Sequence, residues 1–113
     1  MIVMSNPKIK KIKIDSQQYI LIVLFDNGIV KEIDFKEKLE EDFYNDLKNK
    51  TLFEQAEVDI GGYGVSWNED IDISEYELLD IGKTISNKSI ENWETKLITK
   101  ATISQYEMIK EFQ

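Results

Sequence analysis

Lysine and isoleucine alternate through "KIKKIKID" (8–15), the two-residue period of a strand with one buried face. The phase slips between Ile9 and Ile12. That slip predicts a bulge at 10–11 or a strand that starts after it. The next stretch, "YILIVLF" (19–25), is apolar without alternation and rich in β-branched residues. Such a run fits a central strand covered on both faces. "DNG" (26–28) offers Asn27 and Gly28 for positive φ, and "IVKEIDF" (29–35) is the returning strand of a hairpin. A second hairpin is expected where "AEVDI" (56–60) alternates, Gly61 and Gly62 turn the chain, and "YGVSW" (63–67) returns.

Between the hairpins the period changes. Phe35, Leu39, Phe43 and Leu47 recur every four residues and predict the buried stripe of a helix over 35–48. Asp34 and Glu37 stand at capping-box spacing before it. "TLFE" (51–54) repeats the cap pattern and predicts one further turn, with Leu52 and Phe53 filling the core. The expected fold class is therefore α+β: a curved antiparallel sheet of about five strands with one main helix on one face. A short helix follows the last strand, and a C-terminal extension follows that. The expected division is a domain over 1–85 and an extension over 86–113.

"SWNEDIDISEYELL" (66–79) gathers five acidic residues and poses a choice between a cation loop and a strand-to-helix junction. A calcium loop of the EF type, begun at Asn68, would place Gly at its sixth position and Glu at its twelfth. Ile73 and Leu79 stand there instead. By contrast, Ser74 and Glu77 form a Ser-x-x-Glu capping box, and acids in a first turn suit the positive helix end. Gly82 is placed to stop that helix. The junction reading is preferred, and no metal or other cofactor is expected.

Composition narrows the function. The chain has 113 residues, no Cys and no His, and all 14 of its basic residues are Lys. Thiol chemistry, Cys/His zinc sites and histidine general bases are excluded, as are Arg clamps on phosphate. Carboxylate, Lys, Tyr or Ser chemistry is still open to it. The net charge of −8 opposes direct nucleic-acid or anionic-membrane binding and suits a protein partner with a basic surface. The apolar residues 1–4 are too few for a signal segment, and the run 19–25 is too short to cross a bilayer, so the expected location is cytoplasmic.

The apolar strand with Tyr19 and Phe25, "DNG", Val30 and Asp34, the helix ending at Leu47, Phe53, Val58, "GVSW" and "DIS" with Leu78 together resemble the bacterial domain-of-unknown-function family 2442. The resemblance spans about 8–82, and its most specific part is 65–73. Asn68 stands where the family has Pro, and Glu69 and Asp70 replace a Gly-containing turn. The resemblance implies an α+β fold and no established enzyme activity. Some members carry a C-terminal helix-turn-helix, and others look like antitoxin-like partners of a small neighbouring protein.

The extension "SNKSIENWETKLITKATISQYEMIKEFQ" (86–113) places Ile90, Trp93, Leu97 and Ala101 at helical spacing, while 95–103 also alternates as a strand would. It lacks a basic recognition helix, so DNA reading is not expected of it. It is expected to pack over the open sheet face or to dock on another chain, and a homodimer is an alternative cover for that face. Trp93, Leu97, Tyr106, Ile109 and Phe112 are the candidate partner-binding residues. Glu37, Glu40, Glu41, Asp42, Glu69 and Asp70 are the candidate acidic surface. The lysines at 8, 10, 11 and 13 read as protection of an edge strand. Tyr63 and Trp67 share a parity and are expected in the core. Gly61, Gly62 and Gly64 match no phosphate loop.

The expected function is a non-enzymatic interaction or regulatory module, antitoxin-like in kind. The alternative is an acidic inhibitor, of the kind phages encode, that fills the nucleic-acid channel of a basic target. No catalytic residue is nominated.

Overall fold

The computed structural model describes residues 6–85. The α+β class holds, but the strands divide between two antiparallel sheets rather than one sheet of five. Strands β1 (Ile9–Asp15), β2 (Ile20–Phe25) and β3 (Val30–Asp34) form a four-stranded sheet with β7 (Lys83–Ile85), in the order β1-β2-β3-β7. Strands β4 (Glu57–Val58), β5 (Gly64–Ser66) and β6 (Asp72–Ser74) form the second sheet. The second hairpin is therefore present but does not extend the first sheet. Strands β6 and β7 have three residues each, too few to show a period in the sequence.

The first sheet follows the pattern that predicted it. Strand β1 lies at the edge, with the register shifted between Ile9 and Lys11, and β2 lies inside. The β2–β3 turn closes through the Phe25 amide on the Ile29 carbonyl at 2.9 Å. Gly28 takes φ 89°, while Asn27 turns the chain by accepting the Ile29 amide at its Oδ1, 3.0 Å away.

The segment 35–48 is not one α-helix. It is a short 3-10 turn, Lys38–Glu40, and a 3-10 helix, Asp42–Lys48, separated by an extended Glu41 (φ −79°, ψ 137°). The break resets the face. Tyr44 and Leu47, three apart as a 3-10 helix requires, are buried, and Phe43 is turned out to 45% exposure. The Asn45 amide group donates to the Leu39 carbonyl at 3.0 Å and satisfies backbone that the break leaves open. Helix α1 (Lys50–Phe53) is capped by Asn49, whose Oδ1 accepts from the Thr51 and Leu52 amides.

One core joins the two sheets. Leu21, Val23, Phe25 and Ile33 present its floor, and Leu39, Leu47, Phe53, Val65, Trp67, Ile73 and Leu78 close it. Phe35 sits at the centre of an edge-on aromatic cluster, 5.6 Å from Phe53 and 5.4 Å from Trp67. The indole of Trp67 donates to the Phe53 carbonyl at 3.1 Å, so its one polar atom is satisfied in the core. Among the described residues no helix is long and apolar enough to cross a membrane.

Candidate interaction surface

The 66–79 window is a junction built from its own side chains. Asn68 Oδ1 accepts from the Asp70 and Ile71 amides, and the Trp67 amide bonds to the Ile71 carbonyl. Helix α2 (Glu75–Ile81) starts on Ser74, whose Oγ accepts the Glu77 amide at 3.1 Å. The Glu77 carboxylate does not complete the box. It accepts from Lys38 Nζ at 3.1 Å instead, tying α2 to the 3-10 segment. Gly82 ends the helix with an ordinary φ of −71°. Its role is space: a Cβ there would lie 2.7 Å from the Lys31 Cβ.

The second hairpin builds an exposed aromatic corner. At its tip, Ile60–Gly62, Gly61 and Gly62 both take positive φ. Gly62 presses against β1 so closely that a Cβ would lie 2.4 Å from the Ile9 carbonyl oxygen. The tip is thereby fixed to the first sheet, and Ile60 projects from it at 99% exposure. Tyr63 follows at 60% exposure. Its ring lies over Gly61, where a Cβ would come within 2.7 Å of a ring carbon. On the ring, Lys8 Nζ sits 4.5 Å from the centroid and is held there by Glu75 Oε1 at 3.0 Å. The Glu75 amide also donates to the Tyr63 carbonyl at 2.9 Å. Tyr76, the next residue on α2, is 62% exposed. Two aromatic rings and an isoleucine are thus displayed by the hairpin tip and the first turn of α2.

This corner corrects the expectation for Tyr63. Trp67 is buried as expected, but Tyr63 is not. Strand β5 begins at Gly64, and Tyr63 has turn geometry (φ −80°, ψ −9°), so the strand's parity does not reach it.

The acidic residues named from the sequence are all exposed, yet they do not act alike. Glu40 pairs with Lys48 at 3.4 Å and Glu41 with Lys38 at 3.6 Å. Among the described residues, Glu37, Asp42, Glu69 and Asp70 have no cation against their carboxylates. Glu41 belongs with Asp72 and Glu77, which the sequence reading did not nominate, in a group around Tyr44. Burial first, then the charges of Glu77, Glu41 and Asp72, pushes the Tyr44 hydroxyl up to about 12 from its ordinary 10.0. That hydroxyl donates to the Asp72 carbonyl at 3.3 Å, and Lys38 Nζ lies 4.9 Å from the ring centroid. Glu69 lines a separate open groove of about 530 Å³ with Gln55, Glu57, Ser66, Trp67 and Asn68. The lysines divide too: Lys10 and Lys11 edge the sheet, while Lys8 holds the Tyr63 ring. Trp93, Leu97, Tyr106, Ile109 and Phe112 lie outside the described residues.

Ile60 and Tyr76 were missed by sequence reasoning. The one available signal was an apolar residue placed directly before the paired glycines of a hairpin turn, where tips face solvent.

A family model described as protein of unknown function (DUF2442) matches residues 9–84. No curated protein and no solved structure matches the chain.

Proposed function

The chain belongs to the DUF2442 family, and for this member we propose a non-enzymatic protein-interaction module that docks through the aromatic corner. The supporting observation is Tyr63, an exposed ring already held in place by Gly61 beneath it and by the Lys8–Glu75 pair upon it. A ring ordered before binding loses little freedom when a partner covers it. Tyrosine is also among the side chains that most often dominate binding energy. Ile60 and Tyr76 extend the apolar contact. The uncompensated Glu37, Asp42, Glu69 and Asp70, in a chain of net charge −8, give the domain a negative field that favours a basic partner. The biological form of this reading is an antitoxin-like or regulatory partner of a small basic protein in the bacterial cytoplasm.

Affinity capture from the native cell tests it, with the wild-type chain and an Ile60→Ser/Tyr63→Ala chain as parallel baits. The same basic protein should be retained by the first and lost from the second. Equal retention by both would overturn the role of the corner. The second reading, an acidic occupant of a nucleic-acid channel, draws on the four carboxylates without cations. It requires instead that binding collapse with salt and ignore the Ile60 and Tyr63 changes.

A further inference from the structure

Of the chain's seven asparagines, only Asn27 is followed by glycine. Both residues are exposed at the β2–β3 turn. Asn27 Oδ1 accepts the Ile29 amide at 3.0 Å, which folds the side chain back along its own backbone towards the Gly28 peptide. The same N–H polarises the side-chain carbonyl and is placed to stabilise negative charge on Oδ1. Gly28 takes φ 89°, and no atom lies within 4 Å of where its Cβ would be. Its amide donates to the Phe25 carbonyl at 3.0 Å, a bond that must open before the nitrogen can act. Backbone bonds in exposed turns open at little cost. Asn49 and Asn68 fold back in the same way, the first on the Thr51 and Leu52 amides, the second on those of Asp70 and Ile71. Lys50 and Glu69 follow them, and their Cβ atoms crowd the approach that glycine leaves open.

We propose that Asn27 is a self-modifying site, which deamidates through a succinimide ring closed with Gly28. The Gly28 nitrogen gives its proton to water and attacks the Asn27 side-chain carbonyl carbon. A C–N bond forms, the bond to Nδ2 breaks, and ammonia leaves with a proton returned from water. Water then opens the ring. Addition at the side-chain carbonyl gives aspartate. Addition at the main-chain carbonyl gives isoaspartate, with the backbone routed through the side chain. In total one water enters and one ammonia leaves, and nothing is oxidised or reduced. Either product adds one negative charge beside Asp26. Asp26 in turn clasps the backbone of Lys8: its Oδ1 accepts the Lys8 amide at 3.2 Å, and its own amide donates to the Lys8 carbonyl at 2.8 Å. The modification therefore lies next to the clasp on the lysine that holds the Tyr63 ring.

Incubation of the folded full chain in mildly alkaline heavy-oxygen water, followed by peptide mapping, tests this. The peptide holding residue 27 should lose its side-chain nitrogen and gain one heavy oxygen. It should separate into aspartate and isoaspartate forms, with isoaspartate in excess. The peptides holding Asn49 and Asn68 should stay unchanged over the same period. A Gly28→Ala chain, shown to be folded by its amide spectrum, should lose the conversion. Three results would overturn the proposal. Conversion in a urea-unfolded chain with none in the folded chain would mean that the turn's hydrogen bonds protect Asn27. Earlier conversion of Asn49 or Asn68, or equal conversion after Gly28→Ala, would remove the role of the glycine. Aspartate without isoaspartate would mean direct hydrolysis rather than a ring.

Discussion

Gly28 and Gly62 share the sign of φ but not the reason for it. Gly28 (φ 89°) faces open space, whereas at Gly62 (φ 76°) a Cβ would collide with the backbone of Ile9. Gly28→Ala should cost about 1 kcal/mol, the strain of a left-handed alanine. Gly62→Ala adds displacement of β1 to that strain and should cost roughly 3 kcal/mol or more. Urea unfolding of the two variants checks the difference. Tyr44 supplies a pH signature. Its hydroxyl binds its proton more tightly when folded, so its contribution is whole below pH 10 and fades as the pH rises towards about 12. Tyr44→Phe should therefore lose stability at neutral pH, with the hydrogen bond to Asp72, and should lose less than wild type between those limits. Urea midpoints across the alkaline range measure this.

At the scale of elements, legibility tracked how many residues carried a pattern. Strands β1 to β3 have five to seven residues each, and their alternation, bulge and turn could all be read. The apolar spacing over 35–48 was equally visible but misled. Four-residue spacing describes an α-helix only while the backbone stays helical, and Glu41 interrupts it. The repair is the Asn45 bond to the Leu39 carbonyl, a side-chain bond across the break that apolar spacing does not reveal. Asn45→Ala should cost about 1 kcal/mol by leaving that carbonyl unpaired, and should raise amide exchange at 38–45 ahead of β2. Exchange measured residue by residue distinguishes this from a uniform loss of stability. The acidic window 66–79 was legible because its caps are local: Ser74 performs as its spacing indicates. The Glu77 half was not, since Lys38 competes for it from across the fold.

At the scale of the whole molecule, the candidate site was the least legible part. The six acids named from sequence are exposed, but exposure alone made them a field rather than a contact surface. The contact surface comes from three separate segments: the lysine before β1, the glycine turn at 60–62 and the start of α2. Nothing in the sequence joins Lys8 to Tyr63 and Glu75. The account depends on that assembly. Its most direct test is the dissociation constant of the captured partner for the wild-type and Ile60→Ser/Tyr63→Ala chains, at low and high salt. Both replaced side chains are exposed, so the fold should persist in the variant. The expected result is an approximately 30-fold or greater weakening in the variant, equivalent to about 2 kcal/mol, with only a modest salt effect on the wild type. An unchanged constant in the variant, together with a steep fall in wild-type affinity as salt rises, would contradict it.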